Sequence, residues 1–233
     1  MAKYLGEKGF DLILVARNKE KLDEVKNEIE TNVEIITMDL ASEENCKELY
    51  NKVSDVDILI NNAGFGIFGE FIETDLDTEL EMIKTNIIAV HTLTKLFLKD
   101  MVKKDKGYIL NVSSIAGFLP GPLMGTYYST KAYVLRLTQS LQEEFRKQKL
   151  KVTLSVLCPG PTATDFLSRA GVSFKTKSAS SEYVARYAID KLLKGKKVIL
   201  PTFKIKCARF LCKIVPDRIL SKVAYKIQKK RDK

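Results

Sequence analysis

A tyrosine and a lysine stand four residues apart in the stretch "TYYSTKAYV" (126–134). On a helix, Tyr127 and Lys131 share one face, so the ammonium group can lie beside the phenol. A neighbouring positive charge favours the phenolate, and we expect it to lower a pKa that is otherwise about 10. Such a phenol can exchange a proton with a carbonyl or alcohol oxygen near neutral pH. Taken alone the pair is a weak signal, because the same spacing is common on surface helices.

Further polar and small residues collect where apolar stretches end. Ser114 ends the run "GYILNVSS", thirteen residues before Tyr127, and "NNAG" (61–64) offers a glycine where a cofactor could approach the backbone closely. Asn86 lies within an apolar helical stretch, where a buried amide needs hydrogen bonds. "CPGPTAT" (158–164) breaks a strand sharply. Each feature alone is equally well a turn, a cap or a satisfied core polar group.

The elements that position these residues alternate regularly along the chain. Strand-like apolar runs cover 11–17, 33–39, 56–64, 107–114, 151–160 and 197–201. Charged helical stretches cover 18–30, 41–53, 77–104 and 127–148. Continuous apolar runs are typical of parallel strands buried on both faces, so the alternation predicts a doubly wound parallel α/β sheet. Ligands bind such sheets at the carboxyl ends of the strands, where the polar residues collect.

Composition narrows the class of protein. The chain has 233 residues, enough for one α/β domain, which we place at 1–201. No apolar run reaches the length of a membrane span. The four cysteines form no C-x-x-C pair and no metal-binding pattern, which favours reduced thiols in a cytoplasm. The net charge of +10 comes from the end of the chain, where residues 191–233 hold 15 basic and 2 acidic side chains.

Together the motifs resemble the classical short-chain dehydrogenase/reductase family over residues 1–201. They are "NNAG", Asn86 in "KTNIIAV", "NVSS", "YYSTK" and the "PG" with threonines after it, all in the family's order. The resemblance implies a Rossmann-like fold and NAD(P)-dependent hydride transfer between a ketone and a secondary alcohol. It also implies a homo-oligomer paired through the helices at 77–104 and 127–148.

The family's functional roles can be transferred to the matching positions. Tyr127 would be the general acid in reduction, and Lys131 would lower its pKa and bind the nicotinamide ribose. Ser114 would orient the substrate oxygen, and Asn86 would support a water-linked proton relay. The resemblance assigns cofactor contacts to Arg17, Asp39, Leu40, Asn61, Ala63, Gly64, Lys131, Pro159, Gly160, Thr162 and Thr164.

Charge at the end of the second family strand indicates the cofactor. The family's NAD-selecting acidic position falls on Ala16, which is neutral, and Arg17 follows it. A guanidinium fork suits a 2′-phosphate, whereas an acidic residue would repel one. We therefore expect NADP(H) to be preferred over NAD(H). The alternative is that Arg17 simply ends a strand in water.

The first residues correspond to the end of the family's first helix and to its second strand. The resemblance places a first strand and a T-G-x-x-x-G-x-G loop, about 20 residues, before Met1. That strand would be central to the sheet, so we expect the N-terminally truncated chain to fold and to bind dinucleotide poorly. The alternative function is a non-catalytic relative that acts as a membrane-associated or partner-binding protein.

Apolar residues surround the expected substrate position. Leu123 and Met124 lie in the loop between Ser114 and Tyr127, and Phe166 lies in a segment, 164–181, that suits a lid. These side chains favour a small apolar carbonyl substrate, such as a 3-oxoacyl or steroid-like ketone, over a sugar.

The last residues form a basic amphipathic extension, 202–233, beyond the family resemblance. Two helices, 206–215 and 218–231, each set apolar residues against lysine and arginine. This pattern suits an anionic membrane surface, and equally an arm packed on the domain or on its dimer partner. Nucleic acid is disfavoured, because the apolar stripe would have no role there. The expected location is the cytoplasm, either free or peripheral on a membrane.

Overall fold

A computed structural model describes residues 1–53, 55–163 and 178–229. Its strands are β1 Leu12–Ala16, β2 Val33–Thr37, β3 Ile58–Asn61, β4 Tyr108–Val112, β5 Thr153–Leu157, β6 Thr162–Ala163, β7 Ala179–Ser180 and β8 Val198–Ile199. Strands β1 and β2 form one parallel sheet, and β3, β4, β5 and β8 form a second one in that order. All these pairings are parallel, as are those of the short pair β6 and β7.

Helices connect the strands, as the charged stretches predict. They are α1 Ala2–Glu7, α2 Lys19–Asn27, α3 Glu43–Lys52, α4 Leu76–Ile83, α5 Val90–Lys103, α6 Gly125–Gln148, α7 Ser181–Leu193, α8 Phe203–Ile214 and α9 Asp217–Lys229. Local residues fix their ends: the Asn18 side chain caps α2 and that of Ser42 caps α3. Within the described ranges, no helix is both long and apolar enough to cross a bilayer.

Helices cover both faces of the second sheet, which confirms the predicted doubly wound arrangement. On one face α1 and α7 pack against β4 and β5, with Leu5 and Leu192 against Leu110. On the other face α5 and α6 pack against the same strands, with Met101 against Ile109. Both faces of the strands are therefore buried, which explains their continuous apolar sequences.

A cavity of about 2270 Å³ separates the two sheets. Residues of β1, such as Leu14, and of β3, such as Ile60, line it together, and each of these strands lies at an edge of its sheet. The sequence predicts a single sheet, whereas the structure has two sheets that are separated by the cavity between β1 and β3. The family resemblance places its first strand at this position, and the N-terminal truncation stays a prediction.

One long helical segment changes its winding at a predicted site residue. Between α4 and α5 the chain forms a π-helical turn, Lys84–Ala89, in place of the uniform helix predicted over 77–104. Turns of this kind are frequent at functional sites, because the extra residue re-aims one side chain. Here the turn carries Asn86, which is completely buried.

Candidate active site

Tyr127 and Lys131 occupy the first two turns of α6 and point into the protein. The two residues are 8% and 5% exposed, and the Lys131 Nζ atom lies 5.9 Å from the centroid of the Tyr127 ring. Nζ also donates a hydrogen bond of 3.1 Å to the carbonyl oxygen of Val112, at the end of β4. The predicted sharing of one helix face is therefore found, with both groups enclosed.

Ser114 joins this pair from the loop after β4. Its hydroxyl forms a hydrogen bond with the Tyr127 side chain and accepts one of 3.1 Å from the backbone N–H of Ala116. That second bond caps a short 3₁₀ turn, Ile115–Phe118. The turn fixes the serine hydroxyl beside the phenol, where both can reach one substrate oxygen.

Asn86 is held by three hydrogen bonds of its side chain. Its oxygen accepts from the N–H of Phe65 at 3.1 Å, and its Nδ2 donates to the carbonyl of Phe65 at 2.9 Å and to Thr130 Oγ1 at 3.0 Å. A Cβ atom at Gly64 would lie 2.7 Å from the Asn86 oxygen and 3.3 Å from Lys131 Nζ. Only a glycine leaves room at this point for the amide and the ammonium group.

Burial, rather than the lysine charge, dominates the acidity of the pair. Desolvation raises the pKa of Tyr127 to about 12, and the hydrogen bond from Ser114 opposes this more weakly. Desolvation also lowers the pKa of Lys131 to about 8. The net shift of the phenol is upward because enclosure disfavours the charged form of both groups, and the role of Lys131 in lowering the pKa of Tyr127 stays a prediction. Near neutral pH the phenol is protonated and the lysine is mostly charged.

The sheet ends bring several expected cofactor residues to one cavity. Six of the expected cofactor residues line the cavity between the sheets: Arg17, Asp39, Leu40, Asn61, Ala63 and Gly64. Within this group Arg17 is already paired, since its Nη1 donates to Glu81 at 2.5 Å and lies 3.9 Å from Asp39. Sequence reasoning missed Glu81, because 64 residues separate it from Arg17.

A buried polar network lies directly behind Asn61. Asn61 donates to Asn111 at 2.8 Å and to Thr94 at 3.0 Å, and Asn111 donates to Thr138 at 3.0 Å. Asn61 and Asn111 are register partners in β3 and β4. The network thus ties the carboxyl ends of two strands to α5 and α6. An asparagine inside the apolar strand "YILNV" was the signal that could have revealed it.

The "PG" segment lies beside the loop that carries Ser114, and its described residues are absent from the lining of the large cavity. The Pro159 carbonyl accepts from the N–H of Ile115 at 2.9 Å, and Thr162 Oγ1 donates to the carbonyl of Gly160 at 3.0 Å. A Cβ atom at Gly160 would lie 2.4 Å from the side chain of Ile205 in α8. Thr164, the remaining expected cofactor residue, falls outside the described residues.

The expected substrate residues behave differently from one another. Met124 is buried and packs against Tyr127 and Met82, so it supports the position of the tyrosine ring. Leu123 is half-buried with a φ of +66°, and its carbonyl accepts from the N–H of Gly69 at 2.9 Å. Phe166 falls outside the described residues.

Known proteins resemble this chain in sequence and in fold. A family model described as short chain dehydrogenase matches residues 1–172. The chain belongs to the short-chain dehydrogenase family. Very-long-chain 3-oxoacyl-CoA reductase of Homo sapiens is 36% identical in an alignment 157 residues long, which covers 63% of this chain and 50% of the reductase. The chain therefore spans about half the length of the curated relatives it matches.

Solved structures of short-chain dehydrogenases share the fold. One from Sphingobium yanoikuyae, in complex with NADPH, has a TM-score of 0.80 at 26% identity and covers 92% of this chain and 90% of its own. Another from Burkholderia phymatum, in complex with NAD, has a TM-score of 0.82 at 21% identity and covers 90% and 86%. This likeness confirms the Rossmann-like fold.

Short-chain dehydrogenases bind a nicotinamide cofactor, and the described residues fit one at two places. Gly64 lines the cavity between the sheets, and the Lys131 ammonium group lies close behind it as a donor suited to a ribose hydroxyl. At the ends of β1 and β2, Arg17 and Asp39 line the cavity between the sheets. A guanidinium and a carboxylate at strand ends are suitable donors and acceptors for an adenosine moiety.

Proposed function

We propose that the protein is an NADPH-dependent reductase that interconverts a ketone and a secondary alcohol on an apolar substrate. The observation that carries the proposal is the buried group of Ser114, Tyr127, Lys131 and Asn86. One loop, one helix and one π-helical turn hold these four side chains together. A lone tyrosine–lysine pair on a surface helix would not have the serine partner or the enclosure.

The residues divide the proton chemistry among themselves. When bound, NADPH supplies the hydride for the carbonyl carbon. The Tyr127 hydroxyl, neutral near pH 7, donates its proton to the substrate oxygen, while the Ser114 hydroxyl donates a hydrogen bond to that oxygen. The Lys131 ammonium group stabilises the phenolate left on Tyr127. Asn86 fixes the Phe65 backbone and supports a water-linked relay that returns the proton to the tyrosine.

Apolar side chains around the tyrosine support the substrate class. Phe65, Ile67 and Phe68 pack with Met82 and Met124 beside Tyr127. The partly buried side chains of Phe65, Ile67 and Phe68 can contact an alkyl chain or a ring system, whereas a sugar would need a dense set of polar partners. The relative from Homo sapiens is named a very-long-chain 3-oxoacyl-CoA reductase. We therefore propose a 3-oxoacyl thioester, with a steroid-like ketone as the second class.

Arg17 supports the choice of NADPH over NADH. It lies at the cavity edge with two carboxylates, Glu81 and Asp39, around it. A 2′-phosphate would take the place of Glu81 as the partner of the guanidinium fork, because it carries more negative charge and more acceptor oxygens.

Turnover by the full chain tests the function. NADPH oxidation is followed by the loss of its absorbance band at about 340 nm. The substrates are 3-oxoacyl thioesters and steroid ketones, and the wild type is compared with Tyr127→Phe. We expect Tyr127→Phe to lower kcat by at least about a hundredfold, since it removes the proton donor. Tyr133→Phe is the matched control, because Tyr133 lies on the same helix and is 37% exposed. Equal turnover by Tyr127→Phe and Tyr133→Phe would refute the proposal.

A second candidate is a non-catalytic member of the family that binds a membrane or a partner. The cavity between β1 and β3 favours it, because two edge strands there have no backbone partner between them among the described residues. Substrate-dependent NADPH oxidation by the purified chain would exclude this candidate.

Location and assembly complete the proposal. The four cysteines are free thiols, which suits a cytoplasm. We propose that copies pair through α5 and α6, as the family resemblance implies. Light scattering of the purified chain tests the pairing, and a monomer at all concentrations would contradict it.

A further inference from the structure

The outer face of α8 is apolar and exposed. Phe203, Phe210, Leu211 and Ile214 are 78%, 62%, 55% and 64% exposed. Their spacing puts them on one side of the helix, together with the exposed thiol of Cys207. Scattered exposed apolar residues are ordinary, whereas a continuous stripe marks an interaction surface.

The inner face of α8 fixes the direction of that stripe. Ile205 is 9% exposed and packs with Leu200 and Cys158 at the end of the second sheet. The Arg209 guanidinium lies 5.5 Å from the centre of the Phe118 ring. The helix is therefore anchored on the domain, and its apolar outer face is a fixed part of the protein surface.

Helix α9 repeats this arrangement. Ala224 and Gln228 face inward, and Gln228 donates a hydrogen bond of 2.8 Å to the Tyr128 hydroxyl. Ile219, Val223 and Ile227 follow each other at intervals of four residues and are 51%, 49% and 49% exposed. The arm thus packs on the domain, as one sequence-based alternative expected, and still presents a second apolar stripe.

Lysines border both stripes. Exposed lysines occur at Lys204, Lys206, Lys213, Lys222, Lys226 and Lys229. Asp217 is the single acidic residue in the two helices α8 and α9, so their surface is strongly positive. A second copy of the chain would bring like charges together on this face. Nucleic acid would leave the apolar stripes against water. An anionic bilayer satisfies both features, since it offers negative headgroups above a hydrocarbon boundary.

We propose that α8 and α9 form a docking surface for an anionic lipid bilayer. The apolar stripes enter the boundary between headgroups and acyl chains, and the bordering lysines contact the headgroups. The Gln228–Tyr128 bond connects α9 to the residue beside Tyr127, so docking holds the candidate active site next to the bilayer. The docking proposal does not depend on the proposed enzymatic activity.

Vesicle co-sedimentation of the full chain tests the surface. The chain is mixed with vesicles of phosphatidylcholine alone, or of phosphatidylcholine with phosphatidylserine, in low and high salt. We expect retention on the anionic vesicles only, and less of it in high salt. Equal retention on both vesicle types, or none on either, would overturn the proposal.

Paired variants separate charge from apolar insertion. Lys222→Glu/Lys226→Glu should weaken binding to anionic vesicles more than about tenfold, and Lys147→Glu/Lys149→Glu is the control of equal charge. Phe210→Ser/Ile214→Ser should weaken it about tenfold, with Phe71→Ser/Ile72→Ser as the control, since those residues are 73% and 84% exposed outside the tail. If each variant and its control lose vesicle binding to a similar extent, α8 and α9 do not form the docking surface.

A probe on Cys207 reports which face meets the lipid. Cys46 and Cys158 are buried, so an environment-sensitive fluorophore labels Cys207 selectively in a Cys212→Ser background. We expect its emission to shift to the blue on phosphatidylserine vesicles. If the emission of the vesicle-bound protein does not shift, the basic surface binds a polar polyanion instead of the bilayer interior. The same conclusion follows if the protein binds duplex DNA and Phe210→Ser/Ile214→Ser does not weaken that binding.

Discussion

Gly64 passes so close to Asn86 that a Cβ atom there would lie 2.7 Å from the amide oxygen. Gly64→Ala must therefore displace Asn86 or the nearby Lys131 amine. We expect kcat to fall about 10–100-fold, because small misplacements of catalytic groups are costly. Gly125→Ala is the control, since a Cβ atom there meets nothing within 4 Å. Steady-state kinetics that show the same kcat for both variants would contradict the assigned position of Asn86.

The protonation of Lys131 sets the pH dependence of reduction. Burial lowers its pKa to about 8, whereas that of Tyr127 is raised to about 12. Below about pH 8 the phenol is neutral and the lysine is charged, which is the reactive combination. As the pH rises through 8 the ammonium group is lost, and kcat/KM should fall about tenfold per pH unit above it.

A variant identifies the group behind that pH limb. Lys131→Met removes the titration, so its kcat/KM should be low and flat from pH 7 to about 9.5. A wild-type profile that is also flat over this range would show that Lys131 does not titrate in the reaction. A limb that persists in Lys131→Met would assign it to another group.

Cofactor choice should depend on the pair of Arg17 and Glu81. Glu81→Gln removes the carboxylate that holds Arg17 at 2.5 Å, so KM for NADPH should fall several-fold while KM for NADH changes little. Arg17→Ala should reduce the preference for NADPH about 10–100-fold. Glu73→Gln is the control, since Glu73 is exposed and lies outside the lining of the cavity. An unchanged ratio of the two kcat/KM values in Arg17→Ala would contradict this role.

The network around Asn111 should stabilise the fold more than it affects chemistry. Asn111→Leu keeps the number of side-chain heavy atoms of this fully buried residue but removes its hydrogen bonds with Asn61 and Thr138. We expect the free energy of unfolding to fall by about 2–4 kcal/mol. Urea unfolding measures it, with the exposed Asn62→Leu as the control. A loss below about 0.5 kcal/mol would mean that water replaces the lost bonds.

The sequence predicted the elements well, because local patterns determine them. Apolar runs became β1 to β5 and β8, and the spacing of Tyr127 and Lys131 on one helix face was right. The π-helical turn that carries Asn86 was not predicted, since no residue pattern distinguishes it from a regular helix. The pKa values of the pair depend on enclosure by distant elements, and the spacing alone therefore did not reveal that burial raises the pKa of Tyr127.

Contacts between distant parts of the chain were also beyond the sequence. Glu81 meets Arg17, and Gln228 meets Tyr128, only because helices from different regions pack beside the sheet. The tail showed its amphipathic pattern in the sequence, but its packing decided which apolar residues are buried and which are exposed. Ala224 faces inward, while Val223 beside it lies at the surface.

Isotope transfer tests the central claim most directly. The full chain is incubated with NADPH deuterated at the transferred position of the nicotinamide ring and with a 3-oxoacyl thioester, and the product is analysed by mass spectrometry. The account predicts a 3-hydroxyacyl product with one deuterium on the carbinol carbon, formed by the wild type and by Tyr133→Phe but not by Tyr127→Phe. No deuterated alcohol from the wild type with 3-oxoacyl or steroid ketones, or equal amounts with Tyr127→Phe, would contradict it.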